Sequence, residues 1–322
     1  MRQSGETSMR GHLASADIGN ARAEGARSAV PRRPARDWFE AWSVAAFFSA
    51  MAILPLDLAS AVGGALGRLI GPRLAVTARA LRNLDLALPH ISEAERRRIV
   101  RQMWDNLGRI AAEYPHLSRL RCFAPSARVE VAGVQHIDRA VARGRPLILF
   151  SGHFGNWEVA CVALRQYGLE LVQVYRSANN PDVEAIMRQL RQSLGVEPVR
   201  KGPAGARRII AALRQGRNLA LLVDQKMNDG IAVPFFGRDA MTAPAIAEIA
   251  LRYDCSMLPM RVDRLRGARF RLTIFPALDL ARSGERQADV RVAMTEVNRC
   301  LEQWVRERPG QWFWLHRRWP ES

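Results

Sequence analysis

The chain has almost no lysine: of its 48 basic residues only Lys201 and Lys226 are lysines, and the rest are arginines. A GC-rich genome accounts for most of that bias. Arginine also forks well onto phosphates, so a basic surface facing anionic lipid or an acidic partner is physically reasonable. Cysteine is sparse too. Cys122, Cys161, Cys255 and Cys300 stand far apart without C-x-x-C spacing, which argues against a zinc site and a disulfide framework and fits a reducing cytoplasm. The apolar stretch Ala41–Leu56 runs sixteen residues without a charge. It falls short of the ~18–20 residues of a spanning helix. A clean signal peptide is missing, because this segment comes late and lacks a small-residue cleavage pattern. Nothing resembles an RNP, KH or helix-turn-helix pattern, so no nucleic-acid partner is expected.

What is present is 322 residues with a net charge of +17, enough for one large domain or two small ones. Residues 1–36 are rich in Gly, Ser, Ala and Arg, show no apolar period, and read as a disordered basic tail. Residues 37–72 are apolar, with Trp38 and Trp42 at the basic end and a break near Pro55. They read as a hydrophobic membrane anchor that dips into the bilayer or spans it marginally, a buried helical hairpin being the alternative. Residues 73–322 alternate short strands and helices, the pattern of an α/β domain whose central sheet is flanked by helices. Ser92-Glu93-Ala94-Glu95 is a capping-box pattern that opens a helix with Ile99, Met103, Leu107 and Ile110 on one face.

The most informative stretch is Leu147–Arg176, LILFSGHFGNWEVACVALRQYGLELVQVYR. It reads as a buried strand, a tight turn at Ser151-Gly152, a short helix with Asn156 as its N-cap, and a second strand after Gly168. His153 lies in the turn and Glu158 in the first helical turn, so the two side chains are expected to approach. A carboxylate on one imidazole nitrogen fixes the tautomer and leaves the other nitrogen to take a proton from a hydroxyl. By itself the bare pair is better read as a core histidine and a helix-dipole glutamate. Its position at the carboxyl end of a strand, where open α/β sheets bind ligands, favours catalysis.

The motifs GHFGNWE, VYRSANNP, VPFFGR and QWFWLHRRWP, in that order, resemble the bacterial lipid A biosynthesis acyltransferases, from about Trp38 to Trp319. That resemblance implies an α/β acyltransferase at the cytoplasmic face of the inner membrane. It would move a fatty acyl chain from acyl carrier protein to a hydroxyl on a lipid A precursor. His153 is then the general base and Glu158 its orienting carboxylate. Backbone N–H groups at Gly155, Asn156 and Trp157 are candidates for the oxyanion. Arg176 in the VYR motif is a substrate anchor, and Asp224, one strand later, orients Arg176 or a substrate amine. Phe236 and Arg238 belong to the FFG loop, a wall for the acyl chain or part of the core. The Trp-rich C-terminus serves the headgroup region or closes the core, and His316 is assigned no catalytic part. No metal or other cofactor is implied. The motifs do not separate lipid A from other acceptors, such as a phosphatidylinositol mannoside or an ornithine-type lipid. A catalytically inactive basic membrane-surface protein is the reading from another class.

Overall fold

A computed structural model describes residues 35–319, and the predicted basic tail lies almost wholly outside them. Four helices come first: α1 (Ala35–Ile53), α2 (Leu56–Ile70), α3 (Thr77–Ala87) and α4 (Glu93–Glu113). Pro55 breaks the apolar segment between α1 and α2. Neither these helices nor any other among the described residues is long and apolar enough to cross a membrane. The expected cap of α4 is formed, the Ser92 hydroxyl accepting from the Glu95 N–H at 3.2 Å.

The remainder is β1 (Val129–Ala132), α5 (Val134–Val141), β2 (Leu147–Ser151), α6 (Glu158–Gln166), β3 (Leu171–Tyr175), α7 (Pro181–Ser193), β4 (Glu197–Arg200), α8 (Pro203–Arg214) and β5 (Asn218–Leu222). A hairpin of β6 (Lys226–Phe235) and β7 (Arg238–Thr242) follows, then α9 (Ala245–Tyr253), β8 (Ser256–Arg266), β9 (Arg269–Ile274) and α10 (Arg286–Glu307). Seven strands form one mixed sheet in the order β1-β9-β8-β2-β5-β3-β4. Strands β8, β2, β5, β3 and β4 run parallel; β9 is antiparallel to β8 and parallel to β1.

Strand β2 is buried on both faces, as its unbroken LILFS run requires. Ile148 and Phe150 join the core shared with α9, α10 and the C-terminal tryptophans; Leu147 and Leu149 join the core beneath α5 and α6. One local expectation fails and one is decided between its alternatives. The Arg/Phe/Arg/Leu alternation of β9 suggests a sheet edge, yet β9 lies between β1 and β8, with its Phe and Leu turned inward. VPFFGR forms the β6–β7 hairpin, where Phe235 and Phe236 pack against Trp319 as part of the core, one of the two placements expected for them.

Candidate active site

The parallel register assembles the site. Ser151 of β2 pairs with Leu222 of β5, so His153 and Asp224, each two residues further on, sit side by side at the carboxyl edge. Tyr175 of β3 pairs with Arg200 of β4, which puts Arg176 and Lys201 side by side at the same edge.

Asp224 is the partner of His153. Its Oδ1 lies 2.7 Å from Nδ1 of the imidazole, and its Oδ2 accepts the His153 backbone N–H at 2.7 Å and the Trp312 indole N–H at 2.8 Å. Burial alone would raise the Asp224 carboxyl. The charge of His153 and the hydrogen bonds from it prevail and hold that carboxyl far below the usual carboxylate range. An ionised Asp224 requires the proton of neutral His153 to sit on Nδ1, which leaves Nε2 as the basic nitrogen.

His316, to which the sequence assigned no catalytic part, also lies in the site. Its Nε2 is 3.2 Å from His153 Nδ1, and the rings meet edge to face with centroids 4.5 Å apart. Burial, reinforced by the charge of His153, lowers its pKa to about 3, so His316 is neutral at physiological pH. Trp157 packs edge-on against the His153 ring at 4.7 Å, and Phe313 lies at 5.9 Å. Donor atoms of His153, Asp224 and His316 fall within 4.8 Å of one another, a spacing that a metal ion can also use. Here the three groups are satisfied by each other.

The expected contact of Glu158 with His153 is not made. Glu158 is buried in the first turn of α6, where its Oε2 accepts from Gln173 Nε2 at 2.7 Å and its Oε1 lies 3.8 Å from Arg191 Nε. The turn sends the imidazole along the sheet edge towards β5, while α6 turns the carboxylate down onto β3. Both residues nonetheless line one cavity of about 180 Å³. Its mouth carries Arg176 and Lys201; its deeper wall includes Cys161, Met187, Ala220 and Met260, mostly apolar. Arg176 and Lys201 are exposed as residues. Desolvation of the Lys201 ammonium, countered by Asp224 and reinforced by Arg176, lowers its pKa.

Other expected site residues serve the scaffold. Asn156 does not cap α6: it is fully buried and donates to Glu113 Oε2 at 2.8 Å, within a network that Arg264 completes. The Gly155 N–H cannot reach an oxyanion because it bonds Gln311 O at 3.1 Å, while Gly155 O accepts from Asn106 at 2.9 Å. Gly155 has φ +51°, and a Cβ there would lie 2.2 Å from Val262 O, so only glycine fits. Trp157 does line the cavity; Phe236 and Arg238 do not. The C-terminal segment closes the site. Phe313 N–H bonds His153 O at 3.1 Å, and Arg318, wholly buried, donates to Asn298 and Thr242 at 2.8 and 3.0 Å. Burial pulls the Arg318 pKa down to about 10.

Residues 30–321 match the model of a family described as bacterial lipid A biosynthesis acyltransferase. A lipid A biosynthesis acyltransferase of Haemophilus influenzae is 24% identical over 279 residues, covering 85% of each chain. A lipid A biosynthesis lauroyltransferase of Escherichia coli is 26% identical over 279 residues, 82% of this chain and 86% of that protein. A phosphatidylinositol mannoside acyltransferase of Mycobacterium tuberculosis is 24% identical over 193 residues, 59% of each chain.

Proposed function

Because the chain belongs to the bacterial lipid A biosynthesis acyltransferase family, we propose that it is a membrane-bound O-acyltransferase. It works at the cytoplasmic face of the inner membrane, moving a fatty acyl chain from acyl carrier protein to a hydroxyl of a lipid A precursor. The observation that carries the mechanism is the His153–Asp224 hydrogen bond at the mouth of a largely apolar cavity.

Nε2 of His153 takes the proton of the acceptor hydroxyl as its oxygen attacks the thioester carbonyl. The C–O bond forms, the C–S bond breaks, and the proton passes from the imidazolium to the departing thiolate. Asp224 holds the tautomer and offsets the imidazolium charge, the role that sequence spacing gave to Glu158. Glu158 instead shapes the cavity wall through Gln173 and Arg191. Arg176 and Lys201 supply positive charge beside the reacting centre, where it favours a developing oxyanion or an anionic group of either substrate. The acidic carrier protein is drawn by the basic surface, an attraction that salt weakens.

The test is acyl transfer from radiolabelled acyl carrier protein to purified lipid A precursor by membranes containing intact protein or His153→Ala. Transfer by the intact chain alone supports the reading, and equal transfer by both removes it. The mycobacterial relative makes a different glycolipid acceptor the second reading. Product from a phosphatidylinositol mannoside and none from the lipid A precursor would establish it.

A further inference from the structure

Two acceptors converge on the single proton of His153 Nδ1. Asp224 Oδ1 lies 2.7 Å from that nitrogen and His316 Nε2 lies 3.2 Å from it. Because His153 carries its proton on Nδ1, the nitrogen that His316 turns towards it presents a lone pair. A carboxylate oxygen and an imidazole lone pair thus share one N–H, which can align well with only one of them. Without that proton, lone pairs from two imidazoles and one carboxylate would face a common point.

The donor atoms of all three residues fall within 4.8 Å of one another. Two histidines and a carboxylate are the ligand set of an open zinc site, whose fourth position is left to solvent. Tetrahedral bonds of about 2.0–2.2 Å hold ligand atoms roughly 3.3 Å apart. The two histidine nitrogens already stand at nearly that separation, at 3.2 Å. The 2.7 Å pair of His153 and Asp224 has to open by about 0.6 Å to reach it. His153 is the member that borders open cavity, so it is the one with room to turn.

The other two ligands are held from behind. Asp224 is wholly buried, and its Oδ2 is taken by the Trp312 indole and the His153 backbone N–H, which leaves Oδ1 for a metal. Asn83, buried in α3, donates to Trp314 O and His316 O, both at 2.7 Å, and so fixes the backbone that carries His316. Outer partners of this kind orient the ligands of metal centres. Lys201 and Arg318 bring positive charge to the surroundings of Asp224, which makes the site weaker than a closed structural one and its occupancy reversible.

We propose that His153, Asp224 and His316 form an inhibitory site for a borderline divalent metal ion such as Zn²⁺, which takes the place of the Nδ1 proton. The displaced proton passes through solvent to Nε2. A neutral imidazole bound to metal through Nδ1 carries its hydrogen on Nε2, the nitrogen that has to receive the proton of the acceptor hydroxyl. Metal ligand and general base are therefore mutually exclusive states of one ring. Mg²⁺ and Ca²⁺, which take oxygen ligands, should not compete. Inhibition rests on the proposed acyl transfer, whereas binding of the ion does not.

The experiment is equilibrium dialysis of the full chain, without carrier protein, against buffered free Zn²⁺, and against Co²⁺ for its visible spectrum. Acyl transfer is then titrated with Zn²⁺ for the intact chain, His316→Gln, and His316→Cys, which supplies a ligand again. The intact chain should bind one ion, give Co²⁺ bands of tetrahedral intensity, lose transfer as the site fills and recover it with EDTA. His316→Gln should need about tenfold or more Zn²⁺ for binding and for half inhibition, measured against its own metal-free rate, and His316→Cys should regain most of the difference. Equal Zn²⁺ affinity of the intact chain and His316→Gln overturns the proposal, as does no regain in His316→Cys or full transfer with one ion bound. Binding of one ion that His316→Gln loses, with no acyl transfer by any chain, would refute the activity and leave the metal site standing.

Discussion

Asp224 and Glu158 are both buried carboxylates in the surroundings of one imidazole, and their settings differ at every point. Asp224 lies 71 residues from His153 in sequence and is bonded to it twice, through the ring and through the backbone. Glu158 lies five residues away and meets Gln173 and Arg191 instead. Strand register decides the matter. Two parallel strands that end level deliver the residues beyond their ends to one place, whereas a turn into a helix sends neighbours in the chain along different axes. A buried carboxylate bound to the base can set its tautomer; a buried carboxylate bound to an arginine can only set the shape of the wall.

The comparison breaks first at Asp224. Asp224→Asn should lower kcat by about three orders of magnitude, because an amide cannot stabilise the imidazolium and permits the wrong tautomer. Single-turnover transfer with saturating donor measures it; a loss confined to KM would contradict the assignment. Next in size is the cationic pair. Arg176→Ala with Lys201→Ala should reduce kcat/KM about 100-fold and flatten its salt dependence. Glu158→Gln is expected to act less on rate, about tenfold. It should instead lower stability by about 1–2 kcal/mol, since Arg191 loses its nearest carboxylate and keeps the Tyr175 ring at 4.4 Å. Denaturant unfolding of Glu158→Gln and of Glu158→Gln/Arg191→Met checks the cause, the second change recovering most of the loss. If Glu158→Gln proved as inactive as Asp224→Asn while retaining its stability, the two carboxylates would share the work.

Much of the architecture was legible before any coordinates. The apolar run of β2, the Gly168 turn and the Ser92 cap of α4 are local signals, and local energetics carried them into the structure. His153, Trp157 and Arg176 were legible because each sits at a strand end or turn beside a recognisable motif. The His153–Asp224 pairing was not, because register between strands 71 residues apart is a tertiary fact with no local trace. Lys201 left one faint mark: it is one of only two lysines in a chain that otherwise uses arginine. His316 left none. Its neutrality comes from burial; the Trp-rich segment reads as headgroup-facing or as closing the core, and neither reading singles out its histidine. Asn156 misled for the opposite reason, since a cap signal next to a helix start was recruited by Glu113 from another element.

The smallest effect belongs to His316, and it separates a neutral site histidine from a charged one. Its pKa falls from the model-peptide value of 6.5 to about 3 in the folded chain. Between those values the unfolded chain binds a proton at this residue that the folded chain refuses. Stability therefore rises with pH across that window and falls as pH drops through it. Asp224 works in the same direction only at lower pH: its carboxyl is depressed from 3.8, so its contribution is complete above that value and lost beneath it. Asp224 thus contributes little between about pH 4.5 and 6.5, and the difference between the intact chain and a His316 variant over that range reports the histidine. His316→Gln, which removes the proton-binding group and keeps a polar side chain, should give a visibly shallower decline of the urea midpoint over that range than the intact chain. Its acyl transfer at neutral pH should fall only a few-fold, because Asp224 still holds His153 Nδ1. An unchanged decline would mean that His316 is protonated in the folded site, and the reading of His153 Nδ1–H as shared between a carboxylate and a neutral imidazole would have to be abandoned.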